Sequence, residues 1–253
     1  MRLSMPLSSR MNDSPNESHA QILAFLIELR RRFLTYFFVV AVVFLVLLLF
    51  ANQLYTFLAL PLLKHLPQGH LIATQIMAPF LVPFKLAFIA ALLVTVPFFL
   101  YQLWAFMAPA LYHHERRLLW ILIFVSTLLF YSGMAFAYWV IFPLLFHFFV
   151  QTVPHGVVLS PDMTQYLDLT MQLLFVFGGL FEIPIAMMLL IWSGVMTRQR
   201  FVKMRPYAIV GAFIVGMLLA PPDVLSQTLL AIPIWLLYEG GIVLSRFLPV
   251  RRV

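Results

Sequence analysis

The sequence predicts an all-α, polytopic membrane protein with six transmembrane helices. Three observations lead there. The chain of 253 residues is 63% hydrophobic and only 10% charged, whereas a water-soluble domain carries about a quarter charged residues. Apolar runs long enough to cross a bilayer recur along it. Lys and Arg collect in alternate connections between those runs, as they do in cytoplasmic loops.

Residues 1–20 are polar and rich in Ser, Asn and Pro, and are expected to form a mobile tail. Residues 20–32 place Ile22, Phe25, Leu26 and Leu29 at helical spacing, which predicts a short amphipathic helix leading into the first span. The six spans are 33–51, 78–106, 118–142, 166–192, 207–220 and 224–241, within one domain covering 21–246. Residues 247–253 form a C-terminal tail.

The first span follows Arg30, Arg31 and Arg32, which is how an export signal begins. Its 19 residues exceed the usual signal core of about 7–15. Asn52-Gln53-Leu54 offers no small-x-small cleavage site, so this run reads as a transmembrane helix.

The connections set the orientation. The first loop holds only Lys64, the next holds Arg116 and Arg117, and residues 143–165 form a long loop with Asp162 but no Lys or Arg. Arg198, Arg200, Lys203 and Arg205 follow the fourth span, the turn 221–223 has no Lys or Arg, and Arg246, Arg251 and Arg252 end the chain. The basic flanks fall on one side at every crossing, so both termini are expected in the cytoplasm. The net charge of +7 therefore reads as orientation within lipid, with no nucleic-acid partner implied.

The fifth span has 14 residues, about 21 Å of helix against a hydrocarbon core of about 30 Å. Pro206 opens it and Pro221-Pro222 closes it. The sixth is weakened by Gly240-Gly241, although it can borrow residues toward Arg246. A short hairpin of this kind pulls the bilayer inward or shelters behind other helices. Pro61, Pro79, Pro83, Pro97, Pro109 and Pro143 lie near other span ends and favour bent helices. The chain shows no internal repeat, which counts against an inverted-repeat transporter.

Some charges lie where charge is costly. Glu182 falls inside the fourth span, where a carboxylate costs on the order of 2.5–3.5 kcal/mol, so it is expected protonated or facing a wet cavity. Gln172 lies ten residues earlier, about 80° around the helix, so one broad polar face could hold both. Lys85, near the outer end of the second span, reads as a snorkelling ammonium. Asp223 reads as the cap of the last helix. Glu28 and Glu115 sit among arginines on the cytoplasmic side. Each could make a local ion pair such as Glu28 with Arg32, worth at most about 0.5 kcal/mol. Together they could instead clamp two guanidiniums of a partner, because a carboxylate matches the guanidinium fork bidentately.

The sequence offers no catalytic constellation. His113-His114-Glu115 lacks the zincin spacing, Ser132-Gly133 is an isolated dipeptide, and His147 and His155 have no obvious partner. No phosphate loop is present, and without cysteine there is no disulfide or thiolate metal site. No cofactor is expected. A proton-coupled solute carrier using Glu182 and a membrane-embedded hydrolase are the competing classes, and the hydrolase lacks a nucleophile and base.

Several stretches together resemble the TatC family of twin-arginine protein translocases, in its proteobacterial form. They are LIELRRR, LPQGHLIAT, YQLWAFMAPALYHHERR, FYSGMAFAYWVIFPL, FGGLFEIPIA and RPYAIVGAFIVGMLLAPPDVLSQTLLAIP. The resemblance implies a non-enzymatic receptor in the bacterial inner membrane, with a concave bundle. It binds signal peptides carrying paired arginines and works with single-span TatA and TatB partners. It also implies a homo-oligomer within the complex and export driven by the proton gradient. By the same resemblance Glu28, Arg30, Phe106 and Glu115 form the signal-binding surface. Glu182 is the intramembrane polar site, Met217 and Gln227 meet partner helices, and Pro61 and Asp223 match motif positions. The chain departs from the family pattern at Phe25, where many members have His. It departs also at Ala78-Pro79-Phe80, where many place an acid, and at Ala220, where threonine is common.

Overall fold

The computed structural model describes residues 15–63, 72–111, 116–152, 162–220 and 223–247. Lys64, Glu115, His155, the Pro221-Pro222 turn, Arg251, Arg252 and the first 14 residues lie outside the described residues. Those described are almost wholly helical, with no strand among them beyond one isolated parallel bridge, Ile72 to Asp162.

The helices are α1 (Pro15–Leu48), α2 (Ala51–Leu63), α3 (Ala78–Val94), α4 (Val96–Leu111), α5 (Arg116–Phe136) and α6 (Phe142–Thr152). They continue with α7 (Met163–Leu180), α8 (Ile183–Trp192), α9 (Arg198–Lys203), α10 (Arg205–Leu219) and α11 (Val224–Leu244). A π-helical turn, Ala137–Ile141, joins α5 to α6.

α1 starts at Pro15, a residue suited to a first helical position, so residues 15–20, expected in the tail, are helical. No Gly or Pro follows within its 34 residues, so the expected amphipathic lead-in and the first span form one helix. The connection expected after residue 51 is itself mostly helical, as α2.

The second span breaks into α3 and α4, bent by 42°. Pro97 has no N–H to give the Leu93 carbonyl. Tyr131 Oη lies 3.3 Å from that carbonyl and from that of Val94. Thr95 Oγ1 donates to the Ala91 carbonyl at 2.8 Å. Side chains thus satisfy the polar groups that the bend releases.

The third span runs well past its expected end at residue 142, continuing from Trp120 to Thr152. The sequence predicts a loop from Pro143 onward. Instead the backbone widens: the Phe142 N–H bonds the Ala137 carbonyl five residues back, and Pro143 enters the first turn of α6. This removes much of the loop expected over 143–165.

The fourth span, Met163–Trp192, is interrupted at Phe181 and Glu182, just before Pro184. Gly194, with φ +76°, then turns the chain toward α9. α10 has 15 residues, about 22 Å, as short as expected. α11 is not short. It runs 21 residues to Leu244, because Gly240 and Gly241 lie within the helix. Gly241 serves packing: an added Cβ would come within 2.7 Å of Met187 Sδ and 3.2 Å of the Pro184 backbone.

Among the described residues four helices can cross a membrane by length and composition, or five when the bent α3–α4 pair counts as one span. α10 is a shorter apolar helix. The core lies between α3, α5 and α7, around Leu86, Phe142, Leu173 and Phe177. α5 and α7 meet through exchanged glycines: Gly133 lies against Phe177 and Phe181, and Gly178 against Phe130.

Candidate functional site

Three polar regions hold the residues singled out from the sequence. The first is the basic end of α1. Glu28 is exposed, with half its side-chain surface accessible. Arg32, one turn on, donates to Glu28 Oε1 from Nε at 3.0 Å and from Nη2 at 2.6 Å. Arg32 Nη1 reaches the Gln102 carbonyl of α4 at 3.3 Å. The local pair foreseen from sequence is therefore made, and the same guanidinium ties α1 to α4. Glu28 Oε2 accepts no hydrogen bond among the described residues. Arg30 lies exposed on α1. Phe106 lies on α4 one turn beyond Gln102, its side chain outside the description. Glu115 belongs to the undescribed connection between α4 and α5, which leaves its distance from Glu28 open.

The second region is the interrupted fourth span. Glu182 is half-buried in the break. Ser126 of α5, wholly buried, donates to Glu182 Oε2 at 2.6 Å. Glu182 Oε1 is buried without a hydrogen-bond partner. Gln172 does not join it. Gln172 lies exposed on α7 one turn from Asp168, which pairs with Lys85 at 2.5 Å. Lys85 thus has a carboxylate partner across the α3–α7 contact, beyond the snorkelling expected of it.

The third region is the α10–α11 hairpin. Asp223 caps α11, its Oδ2 accepting from the Ser226 N–H at 2.7 Å, as expected. Gly216 lets the helices approach until an added Cβ would be 3.0 Å from the Gln227 carbonyl. Gln227 is half-buried there, its Nε2 3.5 Å from the Phe213 carbonyl, while Met217 is half exposed. An apolar groove between the two helices is lined by Ile209, Ala212, Phe213, Ala231, Ile232 and Trp235. Pro61 lies in the last turn of α2, its side chain outside the description.

Sequence reasoning missed four polar contacts. Ser126 carries no signal in an apolar helix, and Asp168 hides in a polar helix start. Arg205 Nη2 bonds Glu239 Oε2 at 2.7 Å, joining α10 to α11. Asp162 was noted only as a loop charge, yet it clasps two connections together. Its Oδ2 accepts from Thr74 Oγ1 at 2.6 Å and Thr74 N at 2.9 Å, while Oδ1 caps α7 through the N–H groups of Thr164 and Gln165. The Thr74 hydroxyl first, then its N–H, hold this carboxyl well below the usual carboxylate range against the opposing effect of burial. The signal was present: Asp followed three residues later by Gln is a helix-start pattern.

No group of three His, Asp or Glu able to hold a metal occurs among the described residues. The three regions thus hold an exposed acid beside Arg32, a half-satisfied acid in the interrupted fourth span, and a hairpin of one short and one full-length helix.

The pattern of the family described as "Sec-independent protein translocase protein (TatC)" matches residues 24–233. A TatC from Escherichia coli (strain K12) is 52% identical over 232 residues, covering 91% of this chain and 90% of that protein. One from Haemophilus influenzae is 51% identical over 227 residues, covering 89% of each. A solved structure described as "Crystal Structure of Twin Arginine Translocase Receptor- TatC in DDM" superposes with a TM-score of 0.81 at 34% identity, covering 87% of this chain and 99% of that one. These matches give the solute-carrier alternative no support. The chain belongs to the TatC family, a multi-pass membrane component of the Sec-independent protein translocase.

Proposed function

We propose that this protein is the receptor that reads paired arginines on signal peptides of folded cargo, in the bacterial inner membrane, with both termini in the cytoplasm. Glu28 and Glu115 are the two acids that grip the guanidiniums, with Arg30 and Phe106 on the same surface. The observation that carries this reading is Glu28 itself. An exposed carboxylate, one of whose oxygens accepts no hydrogen bond among the described residues, stands among three arginines, on a helix tied by Arg32 to the α4 segment leading toward Phe106 and Glu115. Its pair with Arg32 is exposed and worth at most about 0.5 kcal/mol, so a ligand that brings two guanidiniums can displace it.

Other parts of the reading follow the resemblance. TatA- and TatB-type helices pack on α10 and α11 near Met217 and Gln227. Glu182, with its unpartnered oxygen, seats the inserted signal or a partner helix. Copies of the chain associate within the complex, and the proton gradient drives export through the whole assembly. The direct test is charge reversal. Glu28→Lys or Glu115→Lys should abolish export of twin-arginine substrates while membrane insertion is unchanged. Normal export by both variants would remove the reading.

A further inference from the structure

A second concentration of charge lies far from Glu28 in the sequence. Arg198, Arg200 and Lys203 lie on α9, Arg205 opens α10, and Arg246 lies in the 3-10 turn Ser245–Phe247 after α11. The fold gathers them. Phe201 of α9 is buried with Met187 of α8 and Ile242 of α11. Tyr238 Oη of α11 donates to the Phe201 carbonyl at 2.8 Å, and Arg205 is bonded to Glu239 of α11 at 2.7 Å. The turn Ser245–Phe247 that carries Arg246 packs against α8 as well as the end of α11. Five cations therefore meet at one end of α8, α10 and α11, with Glu239 the one acid bonded to any of them among the described residues.

Two details separate this cluster from an ordinary topological flank, whose cations need only water. The Nε atoms of Arg198 and Arg205 are buried and have no hydrogen-bond partner among the described residues. A buried donor without an acceptor is costly, and more so on a charged group. The three remaining cations of the cluster, Arg200, Lys203 and Arg246, are exposed. The cluster also borders exposed apolar side chains, Val195, Met204 and Tyr207, which suit an acyl chain rather than water.

We propose that this end of the bundle binds the phosphate headgroup of an anionic phospholipid. The guanidiniums supply forked donors to the phosphate oxygens, Lys203 adds charge, and the neighbouring apolar surface receives the lipid tails. The inference is independent of how Glu28 reads its ligand.

The test uses the full chain purified in detergent, with bound lipid counted by native mass spectrometry. Phosphatidylglycerol and phosphatidylcholine with identical acyl chains are added in separate arms, and inorganic phosphate is added as a competitor in a third. The variant is Arg200→Gln/Lys203→Gln/Arg246→Gln, whose positions are exposed and lack carboxylate partners among the described residues. Its fold is checked by its melting curve. The expected result is retention of phosphatidylglycerol about tenfold or more over phosphatidylcholine, lost in the variant and resistant to equimolar phosphate. Equal retention of the two lipids, or undiminished phosphatidylglycerol on a folded variant, overturns the proposal. Displacement by equimolar phosphate overturns the commitment to a lipid. Should the triple variant fail to fold, Arg200→Gln/Lys203→Gln is measured against the same outcomes.

Discussion

Two spans are broken by proline, and the two breaks differ in what they leave behind. At the second span, Pro97 frees a carbonyl that Tyr131 approaches, while Thr95 bonds back onto its own helix. At the fourth, the interruption before Pro184 holds Glu182, and only one carboxylate oxygen finds a partner, Ser126. The first break is closed by its neighbours and acts as a fixed bend. The second keeps an open acceptor inside a membrane span, at a cost of several kcal/mol if nothing meets it. What separates the two breaks is therefore the unmet polar group at Glu182 and not the proline.

The largest expected effect is on the scaffold around the second of these breaks. Gly133→Leu drives a side chain into the Phe177 backbone, where even a Cβ would sit 2.5 Å from the carbonyl oxygen. Overpacking of this kind costs about 1–3 kcal/mol or more. The variant should melt markedly lower in detergent and lose export, and an unchanged melting curve would show that the α5–α7 contact is looser than described.

Next comes the contrast itself. Glu182→Leu should reduce export about tenfold, the equivalent of ~1.4 kcal/mol, while the protein accumulates in the membrane normally. Tyr131→Phe should lower the melting temperature by the equivalent of about 0.6 kcal/mol, a typical membrane hydrogen bond, and leave export near normal. If Tyr131→Phe damages export as much as Glu182→Leu, the distinction between the breaks fails.

The smallest effect is acid-dependent and lies outside the spans. Asp162 titrates below its ordinary value of 3.8 because Thr74 binds its ionised form. Its stabilisation is therefore fully present above about pH 4 and is lost as pH falls through the lower native value. Asp162→Asn should melt below the parent at pH 7, and the gap should narrow below pH 4. A gap that is constant with pH would show that the clasp does not depend on charge.

Much of this was legible in the sequence. Prolines bracketing residues 207–220 fixed a short α10, and Pro97 foretold a bend because a missing N–H acts locally; Pro184 breaks the fourth span by the same chemistry, although the sequence reading kept that span continuous. Asp223 as a cap was likewise a local pattern. Misreadings arose where the deciding partner is distant in sequence. Ser126 and Glu182 are 56 residues apart, and Lys85 and Asp168 are 83 apart, so neither pairing leaves a local trace. Gly240-Gly241 looked like a helix end, but Gly241 is there to let α8 approach. The loop expected from Pro143 onward is largely helix, because a π turn absorbs the proline. The role of Glu28 was not legible from charge alone, which favoured a local pair, and that pair indeed forms. Only the ordered set of motifs pointed beyond it.

The central claim is that Glu28 and Glu115 together receive paired guanidiniums. It is tested most directly by photocrosslinking from residues 25–32 and 106–117 to a twin-arginine peptide, with a twin-lysine peptide as control. The account predicts adducts from both segments to the arginine peptide alone. Adducts from only one segment, or equal labelling by the lysine peptide, would contradict it.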